Sequence, residues 1–141
     1  METFKTKLND NLIKINLSIN TDALIDGPNG VYISIYRPDS PRKWRKVKVY
    51  VNDQDQFEAI ITKKRLVARP IIKIRISLIV DDLNLKEQIA ETTEIDYHLN
   101  DTNDPTKAEL YESKYDDDFN MGSSNDQTFN VVKKIKVIFD D

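Results

Sequence analysis

The sequence predicts an all-β fold: an antiparallel β-sandwich followed by a polar, acidic C-terminal extension that ends in an extra strand. Three observations carry that prediction. Apolar residues recur at every second position through most of the first hundred residues, the period of a strand with one buried face. Clusters of Asp, Asn, Gly and Pro punctuate the alternation at regular spacing. No segment before residue 100 sustains a helical period. A chain of 141 residues also has room for one hydrophobic core of ordinary size.

The strands follow in order. "IKINLSIN" directs Ile13, Ile15, Leu17 and Ile19 to one face and Lys14, Asn16, Ser18 and Asn20 to the other. The turn residues of "TDALIDGPNG" separate it from "VYISIY", where Val31, Ile33 and Ile35 face in and Tyr32, Ser34 and Tyr36 face out. Pro38 and Pro41 bracket a turn, after which "KVKVYV" offers Val47, Val49 and Val51. The polar "NDQDQ" leads to "FEAII", with Phe57, Ala59 and Ile61 inward. "IIKIRISLIV" has the strongest pattern, with Ile72, Ile74, Ile76, Leu78 and Val80 inward until Asp81 and Asp82 stop it. "LNLKEQIAE" has room for a turn or two of helix but reads first as a polar hairpin connection. "ETTEIDYHL" then sets Thr93, Ile95, Tyr97 and Leu99 on one face.

These strands place a sandwich domain at residues 1–100. Residues 101–130 are acidic and too poor in apolar side chains to build a core, so they are expected to be a partly disordered or loop-like extension. Within it, "TKAELYES" has the pattern of a short helix with Thr106 at its N-cap. Residues 131–141, "VVKKIKVIFDD", form the extra strand. Such a strand must find a sheet edge, in cis or in trans. Val131, Ile135, Val137 and Phe139 are therefore candidate interface residues.

A formal net charge of -3 conceals segregation, because residues 37–75 carry 12 basic and 4 acidic side chains while residues 81–129 carry 3 and 14. The densest basic run, "RPDSPRKWRKVKVYV", surrounds the one tryptophan. Alternation puts Lys46 and Lys48 on the solvent face of a strand, with Arg42, Lys43 and Arg45 in the turn or at the strand entrance. Lys73 and Arg75 also alternate outward, and extend the positive face if the strands are neighbours. Trp and Arg dominate binding hot spots, which makes Arg42, Lys43, Trp44, Arg45 and Lys46 a second candidate interface. The expected partner is an acidic protein surface, this chain's own acidic segment included. Nucleic acid is the competing partner, since basic residues beside an aromatic suit phosphate and base. It ranks lower because the chain is not basic overall and has no sequence-reading helix.

Catalytic chemistry is poorly provided for. With 0 cysteines the chain has no thiolate metal site and no disulfide. His98 is the one histidine and alternates outward, which gives nucleophilic catalysis no support. In "DDDFNMGSSNDQ", Asp116, Asp118 and Asn120 have the spacing of a calcium loop. Gly122 falls one position late for that loop, however, and Gln127 stands where a bidentate carboxylate belongs. The expectation is a non-enzymatic protein with no cofactor and no metal site. No apolar run reaches membrane-spanning length and "METFKTKLNDNL" does not read as a secretory signal, so folding in a cytoplasm with no membrane partner is expected.

The run from "VYISIY" through "NDQDQFEAII" and "IIKIRISLIV" to "ETTEI" resembles the small immunoglobulin-like (Ig-like) domains of tailed-bacteriophage virions. Those modules occur in head fibres, auxiliary capsid proteins and upper baseplate proteins. The shared cadence is an early pair of strands, a polar turn, an aromatic-led strand, a basic or polar link, a long strand, an Asp turn and a Thr-rich return strand. Val67, Ala68, Arg69 and Pro70 stand where such modules often carry Gly. The resemblance covers about half of the chain. It implies an Ig-like sandwich in a virion structural protein, an accessory capsid, head-fibre or tail-associated component that does no chemistry. Its partners would be capsid, portal or tail proteins, or further copies of itself, joined by sheet-edge pairing and charge complementarity. Its place would be the virion, assembled in the host cytoplasm.

Overall fold

The computed structural model describes residues 1–140, and in it two β-sheets stack face to face, as the alternation predicts. In chain order the first half comprises β1 (Glu2–Thr6), β2 (Leu12–Asn20), β3 (Leu24–Ile25), β4 (Val31–Arg37), β5 (Ser40–Val47), β6 (Tyr50–Val51), β7 (Phe57–Thr62) and the helix α1 (Lys63–Ala68). The second half comprises β8 (Ile71–Ile79), a 3-10 turn (Leu83–Leu85), α2 (Lys86–Thr92), β9 (Glu94–Asp101), β10 (Asp104–Glu112), α3 (Tyr115–Asp118), β11 (Phe119–Asn120) and β12 (Thr128–Phe139). The first sheet runs β1-β12-β8-β4-β5, with β3 added beside β8 and β11 beside β12. The second runs β10-β9-β2-β7-β6. Every pairing is antiparallel except that of β1 with β12.

The core lies where alternation places it. Ile13, Ile15 and Leu17 of β2 and Ile95, Tyr97 and Leu99 of β9 face Ile33 and Ile35 of β4 and Ile72, Ile74, Ile76 and Leu78 of β8. Burying each such side chain stabilises the fold by about 1.5–3 kcal/mol. One open side of the sandwich is closed by Tyr111 of β10, which donates its hydroxyl to the Thr3 carbonyl of β1 at 2.6 Å. Burial, then Glu109 and Glu2, push that hydroxyl up to about 12, so it keeps its proton for the bond.

Several sequence expectations are corrected. "KVKVYV" is not one strand: β5 ends at Val47 and the chain crosses to the second sheet before β6, which leaves Val51 exposed. "TKAELYES" is no helix, because Thr106 bonds Asp104 Oδ1 through both its amide (3.1 Å) and its hydroxyl (2.5 Å), and the free edge of β9 pairs with the segment as β10. "LNLKEQIAE" is no hairpin connection. Asp82 accepts from the Asn84 amide at 2.9 Å to start the 3-10 turn, and α2 buries Ala90. The basic "KKR" after β7 opens α1, with Thr62 as N-cap and Leu66 fully buried.

The division at residue 100 also dissolves. Residues 104–112 are the edge of the second sheet, and β12 lies inside the first, paired in cis with β8 along nine residues and with β1 along five. Of the terminal strand as read from sequence, only Asp141 lies outside the described residues.

Three lysines are buried where segments must be tied together. Lys63 directs its ammonium at Thr6 Oγ1 (3.3 Å), the Lys7 carbonyl (2.6 Å), Asn9 Oδ1 (2.7 Å) and Asp101 Oδ2 (2.5 Å). This locks the chain that leaves β1 against α1 and the end of β9. Lys133 of β12 donates to the Glu112 carbonyl (2.8 Å) and faces Asp118 (3.4 Å). Lys86 holds the loop before β12.

Candidate binding face

The outer face of the first sheet gathers the residues of interest. Ser34 of β4 lies opposite Lys46 of β5 on one side and Lys73 of β8 on the other, and Lys73 lies opposite Lys134 of β12. Lys46, Ser34, Lys73 and Lys134 thus form one row across four strands, about 15 Å long at the usual strand spacing. In the next row Tyr32 pairs with Arg75. Lys136 alternates outward two residues beyond Lys134. Outward positions of β4, β8 and β12 carry no Asp or Glu. None of these cations forms an ion pair among the described residues.

Aromatic rings sit among the charges. Tyr32 packs edge-on against Trp44, with centroids 5.8 Å apart and planes at 77°. Lys46 Nζ and Arg75 Cζ each lie 5.2 Å from the Tyr32 ring, cation–π contacts worth about 0.5–1 kcal/mol at an exposed site. Trp44 remains 47% exposed. Tyr32, Trp44 and Arg75, with Ser34, Tyr36, Pro41, Lys73 and Lys134, line an open cleft of about 380 Å³. Arg65 of α1 and the C-capping Arg69 brace strand β5, donating to the Lys46 carbonyl at 3.1 Å and the Lys43 carbonyl at 3.3 Å.

The sequence-predicted cluster is split by this geometry. The turn is confined to Pro38 and Asp39, so Arg42 to Lys46 belong to β5 itself and not to a turn or strand entrance. Trp44 and Lys46 join the outer face; Arg45, opposite the inward Ile35, points the other way at the rim. Arg42 and Lys43 are exposed on the same edge strand. Lys73 and Arg75 do extend the positive face, because β8 neighbours β4. The acidic segment does not cover it: Asp118 pairs with the inward Lys133, and no ion pair joins the segment to the face among the described residues.

The second predicted interface is not a surface. Val131, Ile135 and Val137 are core residues and Phe139 is half-buried against the core. Their strand has partners on both sides, which leaves no main-chain edge to offer. Lys134 alternates outward beside Ile135, but its place opposite Lys73 follows from the pairing of β12 with β8, which the sequence pattern does not contain.

The other candidates resolve as follows. His98 is exposed on the outer face of the second sheet, between Asn16 and Leu110 in register. Asn16 Oδ1 beside it is buried without a partner. The calcium-like loop turns its side chains elsewhere, Asp118 accepting from the Lys114 amide (2.7 Å) and Asn120 from the Gly122 amide (3.1 Å). Its main-chain oxygens do converge, but on a cation the protein supplies itself. Lys86 Nζ donates to the carbonyls of Met121 (2.6 Å), Ser123 (3.1 Å) and Asp126 (2.5 Å). Lys86→Met should cost about 1–3 kcal/mol in chemical denaturation, since it leaves those acceptors without a donor. No group of three His, Asp or Glu side chains is arranged to hold a metal among the described residues. Comparison with known proteins finds no matching family model, no matching curated protein and no matching solved structure.

Proposed function

We propose that the protein is a non-enzymatic structural component of a tailed-bacteriophage virion, an accessory capsid, head-fibre or tail-associated protein. Its Ig-like sandwich docks an acidic surface of a neighbouring virion protein on the outer face of the first sheet. The observation that carries this reading is the row Lys46, Ser34, Lys73, Lys134. Like charges set directly opposite one another destabilise a sheet. An anionic partner turns that repulsion into attraction and selects its own orientation. The cleft at Trp44 supplies the apolar centre that binding hot spots require. The sequence resemblance supplies the virion setting. Docking is by the face and not by the terminal strand.

Lys73→Glu separates function from folding. Opposite Lys134 the new carboxylate makes an attractive pair, so stability should rise by about 0.2–1 kcal/mol. Binding to capsid, portal or tail proteins should weaken at least tenfold, about 1.4 kcal/mol. Undiminished binding, measured by calorimetry or co-sedimentation with particles, sinks the reading. The exposed Trp44 beside lysines also favours single-stranded nucleic acid as a second reading. A steep log-linear fall of oligonucleotide affinity with salt would identify that partner.

A further inference from the structure

We infer that one occupant of this face is a second copy of the chain, whose segment Asp81–Leu85 seats in the Trp44 cleft. The inference rests on the reading of the face as a docking surface for carboxylates. It concerns which carboxylates those are.

The segment follows directly on β8. Asp81 and Asp82 are exposed, and Leu83 and Leu85 stand 39% and 45% exposed beside them. It is also rigid, because the Asp82 side chain holds the Asn84 amide (2.9 Å) and its carbonyl holds the Leu85 amide (3.0 Å). One further carboxylate lies beside it, since Glu87 of α2 lines a shallow depression together with Leu83, Asn84 and Tyr115. The two surfaces are therefore matched twice. Asp81, Asp82 and Glu87 flank exposed leucines on one, and Lys73, Arg75 and Lys134 line a cleft with a half-exposed tryptophan on the other.

One molecule does not bring them together. Lys73 and Ile79 lie six residues apart on the continuous strand β8, roughly 20 Å of inflexible backbone, and Asp81 lies beyond that. The contact must join two copies. Because the two patches differ, it is heterologous, and each added copy presents a fresh cleft and a fresh segment. Such contacts build rings or filaments instead of closed dimers.

Sedimentation velocity of the full chain tests this. At low ionic strength the protein should form species larger than dimers. These should fall to monomers at about 1 M salt, where charges are screened within about 3 Å. Lys73→Glu/Arg75→Glu removes the cleft, and Asp81→Lys/Glu87→Lys removes the segment while sparing Asp82. Each variant alone should be monomeric. Their equimolar mixture should give a one-to-one dimer that grows no further, since only one intact cleft and one intact segment remain. A wild-type chain that stays monomeric at low salt overturns the inference, as does association of the wild type with no dimer in the mixture. Binding of other virion proteins distinguishes the two levels. If the cleft variant loses it while the wild type is monomeric, only the second copy is wrong. If the cleft variant keeps it, the docking face itself is wrong. Circular dichroism confirms that each variant is folded.

Discussion

A chain cut before Val131 is expected to stay unfolded and aggregate, with no cooperative transition in urea. In sequence the terminal strand stands apart from the sandwich, since it follows a long polar stretch. In the fold it is the second strand of the first sheet, and it carries the buried Phe129, Val131, Ile135 and Val137. Truncation leaves β1 with no strand partner at all and strips β8 of one of its two main neighbours. Each lost apolar side chain removes about 1.5–3 kcal/mol. The three lost here, Val131, Ile135 and Val137, approach the whole stability of an ordinary domain, about 5–15 kcal/mol. The milder Ile135→Ala should keep the fold but cost about 2–5 kcal/mol. Far-UV circular dichroism and urea titration read both. A truncated chain that unfolds cooperatively would show that β12 does not hold this position.

The second large effect is expected at the buried pair of Lys63 and Asp101. Asp101→Ala should cost about 3–5 kcal/mol, because it strands an ammonium that has no access to water. The double variant Lys63→Met/Asp101→Leu should recover most of that loss, since two well-packed apolar groups avoid the desolvation of both charges. Burial by itself would raise the Asp101 carboxyl, but hydrogen bonds from Lys63, then Thr6, the Asn103 amide and Asn11, hold it below its ordinary value. The unfolded chain titrates near 3.9. The contribution of Asp101 is therefore complete above that value and is lost as pH falls through the lower folded pKa. Urea midpoints from neutral to acid pH should fall for the wild type. They should fall less for Asp101→Ala, whose proton uptake on unfolding is smaller.

The clearest parts of the fold in the sequence were the strands with long, regular alternation. Ile13 to Leu17 and Ile72 to Leu78 face inward as their period demands. Failures came where a local hydrogen bond or a partner strand outweighed propensity. Thr106 stands where a helix cap would, yet its bonds to Asp104 start a strand whose partner, β9, lies just before it in sequence. Leu66 and Ala90 each bury on a short apolar pattern; Thr62 caps α1, whereas α2 has no side-chain cap and follows the 3-10 turn that Asp82 starts. The buried lysines left no trace in the pattern. Lys63 looks like surface because its four acceptors come from residues 6, 7, 9 and 101.

For the binding face, the sequence by itself determined that Lys46, Lys73, Arg75 and Tyr32 point away from the core, since the pleat sends successive side chains to opposite faces. It also determined the segregation of charge along the chain. Only the tertiary structure decided that these residues lie side by side, that Lys134 completes their row, and that the acidic segment leaves them uncovered. Facing is a local property of the backbone. Strand order is a choice among non-local pairings, settled when the whole core packs, and it is strand order that places four strands' worth of charge on one surface.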